Sequence, residues 1–170
     1  MSLNIRDAEP ADLSALAALL APEADDDDLR LLEGQLAIEM NREVTRMVAE
    51  LDGQIVGLVT VRKLSPTLTK YLLHHREHPL GNFELGRLYV HPDCRRRGIG
   101  RALLGEVNYL GRIVVALRPH QTIAQFFLRS AGRAVHGRFN TAEGPFLVMA
   151  QRHDARSRPL RVTTKIAAAQ

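Results

Sequence analysis

The fold of this 170-residue chain is decided by one stretch, Leu88-Tyr89-Val90-His91-Pro92-Asp93-Cys94-Arg95-Arg96-Arg97-Gly98-Ile99-Gly100-Arg101-Ala102-Leu103-Leu104. Its first residues are the apolar end of a predicted strand, Pro92 ends that strand, and a basic loop with two glycines leads into an amphipathic helix. Because glycine has no β carbon, the backbone at Gly98 and Gly100 can approach a ligand closely. Unpaired amides of the loop and of the helix N-terminus therefore predict an anion site, surrounded by arginine and suited to a pyrophosphate.

The glycine pair does not match two well-known phosphate-binding motifs. A P-loop is excluded because no Gly-Lys-Ser or Gly-Lys-Thr follows, and the dinucleotide fingerprint requires three spaced glycines. The run Arg95–Gly100 is also compatible with a plain turn whose arginines are solvated. The residues on either side must decide between a turn and a ligand site.

Outward from this stretch, hydrophobic periodicity predicts the element order β-α-α-β-β-β-α-β-α-β-β. The predicted strands cover 3–8, 45–51, 54–64, 83–90, 112–117, 135–140 and 146–152. The predicted helices begin after Pro10 and near Asp27, and cover 98–109 and 122–131. Asp52-Gly53 predicts a tight hairpin, and 65–82 is predicted to be a loop with room for a helical turn at 68–75. We therefore expect an α/β (α+β) fold, with a mixed, mostly antiparallel sheet of about seven strands flanked by about four helices.

Composition and charge are those of a globular protein with one core. The chain is 45% hydrophobic and 25% charged, with a net charge of +4, and this charge is too small to argue for a nucleic-acid partner. Residues 154–170 contain four basic residues and one acid. We interpret them as a basic flexible tail behind a single domain at 1–153. A nucleic-acid-binding arm is the weaker alternative.

The sequence also argues against a membrane, a disulfide and a metal. Its first residues lack a signal pattern and its apolar runs are too short to span a bilayer, so we expect a cytoplasmic protein without a membrane partner. Cys94 is the single cysteine, which excludes an intrachain disulfide and a cysteine-based metal cage. His74, His75 and His78 lack carboxylates at ligand spacing, so we interpret them as part of a substrate-side loop and expect no metal.

The flanks of the glycine loop carry a family resemblance. The segment resembles the central motif of the GCN5-related N-acetyltransferase (GNAT) superfamily, Arg/Gln-x-x-Gly-x-Gly/Ala. Here the motif is Arg95-Arg96-Arg97-Gly98-Ile99-Gly100, preceded by Glu84-Leu85-Gly86-Arg87-Leu88-Tyr89-Val90-His91-Pro92 and followed by Ala102-Leu103-Leu104. The predicted element order is similar to that of the family, and the resemblance covers residues 3–153.

The resemblance implies an N-acetyltransferase with acetyl-CoA as its cosubstrate. It implies that the strands at 83–90 and 112–117 splay apart in a V and that the thioester enters this gap. The pantetheine arm would run beside the backbone of Leu88, Tyr89 and Val90. The residues implied to surround the pyrophosphate are Arg95, Arg96, Arg97, Gly98, Ile99, Gly100 and Arg101.

The helix at 122–131 matches the family in part. Gln121, Ala124, Phe127 and Gly132 fall on the family pattern Asn-x-x-Ala-x-x-Phe-Tyr-x-x-x-Gly, which implies that Gln121 and Phe127 lie near CoA. In many members the tyrosine of this pattern protonates the departing thiolate. Leu128 stands in its place here. Water or another residue then protonates the thiolate, with Tyr89 and Tyr109 as alternatives, or activity is lost.

Direct transfer needs a group that takes a proton from the attacking amine. Glu84 opens the central strand, at a position that resembles the general-base glutamate of the histone-modifying branch of the family. The alternative is a surface glutamate at a strand start. The resemblance implies an acceptor with a primary amine, on a small molecule or a protein, and it is compatible with a homodimer. A second hypothesis, motivated by Leu128, is a CoA-binding sensor or interaction module with impaired catalysis.

Overall fold

The computed structural model describes residues 2–21, 44–74, 82–142 and 144–151. The helix predicted near Asp27 lies outside the described residues, and so do His75, His78 and the tail at 154–170.

Seven strands form one sheet in the order β1-β2-β3-β4-β5-β7-β6. All neighbouring strands pair antiparallel except β4 and β5, which are parallel. This arrangement confirms the predicted mixed, mostly antiparallel sheet. The strands are β1 Leu3–Asp7, β2 Val44–Leu51, β3 Gln54–Lys63, β4 Phe83–Val90, β5 Ile113–Leu117, β6 Arg133–Thr141 and β7 Gly144–Gln151.

The predicted hairpin joins β2 to β3. Leu51 pairs with Gln54, so the loop contains only Asp52 and Gly53. Both loop residues have positive φ, 49° and 84°, as a two-residue turn of the type that matches strand twist requires. The Asp-Gly signal is thereby confirmed.

Four helices in the described part of the chain cover the two faces of the sheet. They are α1 Leu13–Leu20, α2 Pro66–His74, α3 Ile99–Val107 and α4 Thr122–Ser130. Helix α1 packs on Val48 and Leu58, and α2 packs on Val114 and Val148. Alternate strand residues point to the opposite face, where α3 buries Leu103 and its neighbours in the main core and α4 adds Leu128.

Part of the loop predicted at 65–82 is wrong, because residues 66–74 form helix α2. Ser65 precedes Pro66 at the helix start, and its hydroxyl accepts a hydrogen bond from the Leu68 amide at 3.4 Å. Serine before a helix with proline in the first turn is a start signal. Leu68 and Leu72 are buried one turn apart. Up to His74, where the described residues end, the helical turn suggested at 68–75 is therefore part of a helix of nine residues, Pro66–His74.

Strands β4 and β5 diverge after a short contact. Their parallel pairing consists of Phe83 with Ile113 and Glu84 with Val114. From Leu85 onward β4 pairs only with β3, while β5 continues beside β7. The gap between the two strands opens toward Val90 and gives the V that the family resemblance implies.

A bulge in β4 changes which of its side chains share a face. Thr60 pairs with Arg87 and Val61 pairs with Leu85, which leaves Gly86 as the extra residue. Such a bulge shifts the alternation of side chains by one position. Glu84 and Arg87, three residues apart, consequently point to the same face of the sheet, the face that α1 and α2 partly cover.

Candidate active site

The basic loop turns sharply into α3. Arg96 and Gly98 have left-handed φ angles of 62° and 83°, and Gly98 is the residue that precedes the first turn of the helix. The side chains of Arg95, Arg96 and Arg97 are exposed, whereas Ile99 is buried in the core. Ile99 therefore anchors the helix start, while three exposed arginine side chains surround it.

The N-terminus of α3 has amides available to a ligand. Gly98 offers no side-chain cap, and the first amides of any helix lack partners within the helix. The first intrahelical bond beyond them runs from the Ala102 amide to the Gly98 carbonyl at 3.0 Å. These amides and the positive end of the helix dipole favour an anion at this point.

This helix start lies directly beside the gap in the sheet. A β carbon on Gly100 would come within 3.7 Å of the Val90 side chain and within 3.4 Å of the ring of Phe127. Val90 ends β4 and Phe127 belongs to α4, so three elements meet at Gly100. The anion site and the splayed strands thus form one continuous surface, on which a β carbon at Gly100 would touch both Phe127 and Val90.

The edge of β4 that faces the gap has unpaired backbone groups. The His91 amide donates to the Val56 carbonyl on β3 at 2.8 Å. Because peptide groups alternate sides along a strand, those of Leu88 and Val90 point toward the gap and that of Tyr89 points toward β3. Leu88 and Val90 can therefore pair with an extended ligand, whereas the Tyr89 backbone cannot.

The Arg95 side chain already contacts this edge and the ring of Tyr89. The Arg95 side chain donates from Nε to the Val90 carbonyl at 2.9 Å, and its guanidinium lies 5.6 Å from the centre of the Tyr89 ring. The Tyr89 ring itself is buried against α1. Arg95 thus spans the distance between the loop and the strand, and its guanidinium must move or share this carbonyl when a ligand pairs with Val90.

Glu84 is buried, with 6% of its surface exposed. Its Oε1 accepts a hydrogen bond from Arg62 Nη2 at 3.3 Å, and its Oε2 accepts one from the Ser65 amide at 3.0 Å. Sequence reasoning missed both partners, since they depend on strand register and on the start of α2. The carboxylate lies where β4 and β5 are still paired, at the narrow end of the gap.

Helix α4 contributes Phe127 to this meeting point. Phe127 packs at Gly100, as described above. Gln121 precedes the helix and its Oε1 accepts a bond from the Arg118 amide at 2.8 Å, so its side chain holds the turn after β5. Leu128 is 2% exposed and lies in the main core. The position of the family tyrosine is therefore occupied by a core side chain without a proton to donate.

The described residues contain neither a candidate metal cluster nor a candidate membrane span. No group of three histidine, cysteine, aspartate or glutamate side chains within 2–21, 44–74, 82–142 and 144–151 could hold a metal ion. In the same ranges no helix is both long and apolar enough to cross a membrane.

Comparison with family models identifies the class of protein. Residues 43–132, just over half of the chain, match the model described as the acetyltransferase (GNAT) domain. The chain therefore belongs to the GNAT family of acetyltransferases. No match was found among the curated proteins.

Solved structures share the fold over nearly the whole chain. A ribosomal-protein-alanine N-acetyltransferase from Brucella melitensis is 24% identical, with a TM-score of 0.64 over 87% of this chain and 98% of that one. A PaiA N-acetyltransferase from Thermoplasma acidophilum, in complex with coenzyme A, is 17% identical, with a TM-score of 0.61 over 90% and 100% of the two chains. An aminoglycoside 6'-N-acetyltransferase complexed with coenzyme A is 18% identical, with a TM-score of 0.60 over 89% and 96%. At these identities the likeness concerns the fold.

Proposed function

We propose that this protein is an N-acetyltransferase that moves the acetyl group of acetyl-CoA to a primary amine. The observation that carries the proposal is the meeting of Gly100, Val90 and Phe127 at one point. It joins the unpaired amides of the α3 start to the open edge of β4. Two structures with this fold contain coenzyme A, which supports the same ligand here.

The pyrophosphate of CoA would lie on the amides from Arg95 to Arg101, with the guanidinium groups of Arg95, Arg96 and Arg97 around it. Charge-assisted bonds from arginine to phosphate are stronger than neutral ones. The pantetheine arm would follow the gap and pair with the backbone of Leu88 and Val90. Phe127 would line this path, and Gln121 would act by holding the turn between β5 and α4.

The reaction would be direct attack of the amine on the thioester. The amine nitrogen forms a bond to the acetyl carbon while the bond from that carbon to sulfur breaks. The nitrogen gives up a proton, and the CoA thiolate takes one. Holding both reactants in one gap converts an encounter in solution into a reaction of bound partners, which lowers the barrier.

Glu84 is the proposed acceptor of the amine proton. It is the carboxylate at the narrow end of the gap, and Arg62 and the Ser65 amide hold it in one orientation. A base must lie within hydrogen-bond reach of its proton, directly or through one water. Since Leu128 is apolar and buried, we propose that water protonates the thiolate.

Two measurements test the proposal. Calorimetry should detect binding of acetyl-CoA to the folded protein, and a thiol-release assay with a broad panel of amines should detect turnover. Absence of acetyl-CoA binding in folded protein would exclude the transferase function.

A second candidate function is a CoA-binding sensor or interaction module. The burial of Leu128 in the core favours it, because the usual proton donor is missing. Tight binding of acetyl-CoA without turnover of any amine in the panel would support the sensor against the enzyme.

We also propose that residues 1–153 form the transferase unit. Gln151, the last residue of β7, pairs with Arg133 at the start of β6, so the last described strand belongs to the same sheet. Removal of 154–170 should leave acetyl-CoA affinity unchanged, as calorimetry on the truncated chain can show.

A further inference from the structure

Three rows of side chains cross strands β2, β3 and β4 on the face shared by α1 and α2. The first row is apolar: Val48, Leu58 and Tyr89 pair across the strands and are buried beneath α1. The second row is polar and contains Arg46, Thr60 and Arg87. The third row contains Val44, Arg62 and Glu84. These two rows lie between the patch that α1 covers and the patch that α2 covers.

Arg87 differs from the other cations of these rows. Arg62 donates to Glu84 at 3.3 Å, and Arg46 is buried with a bond to the Val44 carbonyl at 3.3 Å. Arg87 is half-buried on β4, the strand that borders the gap, and no carboxylate among the described residues pairs with it. A half-buried cation without an anionic partner is costly unless a ligand supplies one.

The bulge at Gly86 sets the relation between Arg87 and the proposed base. Without the extra residue, side chains three positions apart would point to opposite faces. With it, Glu84 and Arg87 share one face, and their partners Arg62 and Thr60 are two residues apart on β3. That spacing corresponds to about 7 Å along a strand. An amine next to Glu84 can thus carry a second group, a few bonds away, within reach of Arg87.

We propose that the acceptor is an anionic amine, whose carboxylate binds the Arg87 guanidinium while its amine lies toward Glu84. This inference names the substrate class of the proposed transferase and rests on that function. The carboxylate would supply the anion that the described part of the chain does not provide for Arg87. Arginine is suited to the role because its fork of N–H donors matches the two oxygens of a carboxylate.

Matched acceptors test the proposal. The probes are three pairs that differ only in the acid group: glycine and glycinamide, β-alanine and β-alaninamide, and 4-aminobutyrate and 4-aminobutyramide. At least one acid should be acetylated with a kcat/KM about 10-fold or more above that of its amide, as a charge-assisted bond predicts. The amine of each amide is less basic than the amine of the matching acid, so a larger fraction of it is neutral and able to attack. This difference favours the amides and therefore works against the expected result.

The variant Arg87→Gln should reduce the best ratio of acid to amide to about 1, whereas Arg87→Lys should retain part of it. Arg138→Gln, at an exposed arginine on the distant strand β6, is the matched control and should leave the ratio unchanged. Acetylation of the amides at equal or higher rates, with a ratio insensitive to Arg87→Gln, would overturn the anionic acceptor and leave the transferase standing.

A binding measurement covers the case in which no amine turns over. Calorimetric titration of each acid into the protein saturated with CoA should show binding that Arg87→Gln abolishes. Such a result would support the anionic ligand although the transferase had failed. If none of the three acids bound, the proposal for Arg87 would be refuted, whatever the outcome of the acetyl-CoA experiment.

Discussion

Thr60 occupies the space in which a side chain at Gly86 would lie: a β carbon on Gly86 would come within 2.8 Å of the Thr60 hydroxyl oxygen. Gly86 is the bulged residue of β4, and Thr60 is on the neighbouring strand at the register shift. Because of this close approach, any side chain at Gly86 would force Thr60 or the backbone to shift. The bulge in turn places Glu84 and Arg87 on one face, so this contact supports the geometry of the proposed acceptor site.

We expect Gly86→Ala to destabilise the protein by about 1–3 kcal/mol, because overpacking forces backbone or side chains to move. The same shift should lower the rate of acetyl transfer more than it lowers acetyl-CoA affinity. Adding Thr60→Ala should restore part of the stability, since it removes the atom that clashes. Gly105→Ala, at an exposed helical position with open space around it, is the control and should stabilise by about 0.5–1 kcal/mol. Urea unfolding of the parent and the three variants measures these free energies of unfolding. Equal stability of Gly86→Ala and the parent would contradict the contact.

Gly100→Glu should abolish acetyl-CoA binding. The new side chain would start against Phe127 and Val90, and its carboxylate would lie where the helix start favours phosphate. We expect calorimetry to show an affinity at least ~100-fold lower, as repulsion and lost contacts at a phosphate site predict. Gly105→Glu places the same charge on the same helix away from its start and should bind normally. Normal binding by Gly100→Glu would show that CoA does not use this surface.

Glu84→Gln should lower the rate of acetyl transfer by a factor of about 10²–10⁴, the usual contribution of a positioned base. The amide oxygen can still accept the bond from Ser65, so the start of α2 should remain in place. Acetyl-CoA affinity should therefore change little. Glu106→Gln, at an exposed glutamate on α3, provides the comparison. An unchanged rate in Glu84→Gln would remove Glu84 from the role of base and leave it as a support for α2.

Sequence reasoning predicted those parts of the fold that depend on local patterns. Strand β4 begins and ends where the sequence predicts, because Pro92 follows an apolar run. The hairpin at Asp52-Gly53 is confirmed because both residues accept positive φ. For helix α2 the sequence predicts only a helical turn. Ser65-Pro66 is a helix start signal, but the proline and histidine content of 65–82 favours a loop.

The geometry of the candidate site is harder to predict from the sequence than the fold is. The motif identified the loop and helix that meet at Gly100, but the contacts of Glu84 with Arg62 and Ser65 depend on a pairing between distant strands. The bulge at Gly86 had one local sign, an isolated glycine within a strand pattern. That sign does not reveal which side chains change face. Hence the relation of Glu84 to Arg87 required the structure.

The Arg6–Asp12 pair predicts a pH dependence of stability. The Asp12 carboxylate accepts bonds at 2.7 Å and 2.8 Å from Arg6 and at 2.8 Å from the Glu9 amide. The bonds from Arg6 are the main cause that lowers the pKa of Asp12 in the folded protein. A lowered carboxyl pKa contributes stability above the ordinary value of 3.8, and this contribution is lost as the pH falls through the folded value.

We therefore expect Asp12→Asn to cost about 1–2 kcal/mol at pH 7, the range for a hydrogen-bonded charge pair near the surface. The difference from the parent should shrink as the pH falls below about 3.8, because Asp12 then takes up a proton more readily in the unfolded chain than in the folded one, whose pKa is lower. Asp7→Asn, at an exposed aspartate on β1, should have little effect at any pH. Urea unfolding between pH 3 and pH 7 measures both. A difference that is constant across this range would contradict the pair.

Within the part of the chain that the structure describes, Arg133 is the largest side chain with less than 2% of its surface exposed. It directly follows Gly132, at the start of β6. Its Nη2 donates to the Asn108 side chain at 3.4 Å, and its Nε finds no hydrogen-bond partner among the described residues. Burial lowers the pKa of Arg133 because it disfavours the charged form. The residue thus combines large buried volume with an incompletely compensated charge.

These two properties predict opposite effects for two substitutions. Arg133→Met keeps most of the volume and removes the buried charge, so the free energy of unfolding should stay the same or rise by about 1–3 kcal/mol. Arg133→Ala removes the volume as well and should lower it by about 2–4 kcal/mol, since a cavity remains. Asn108 is exposed, so water can replace its lost partner in both variants. Urea unfolding distinguishes them, and equal destabilisation by methionine and alanine would show that the guanidinium itself stabilises the fold.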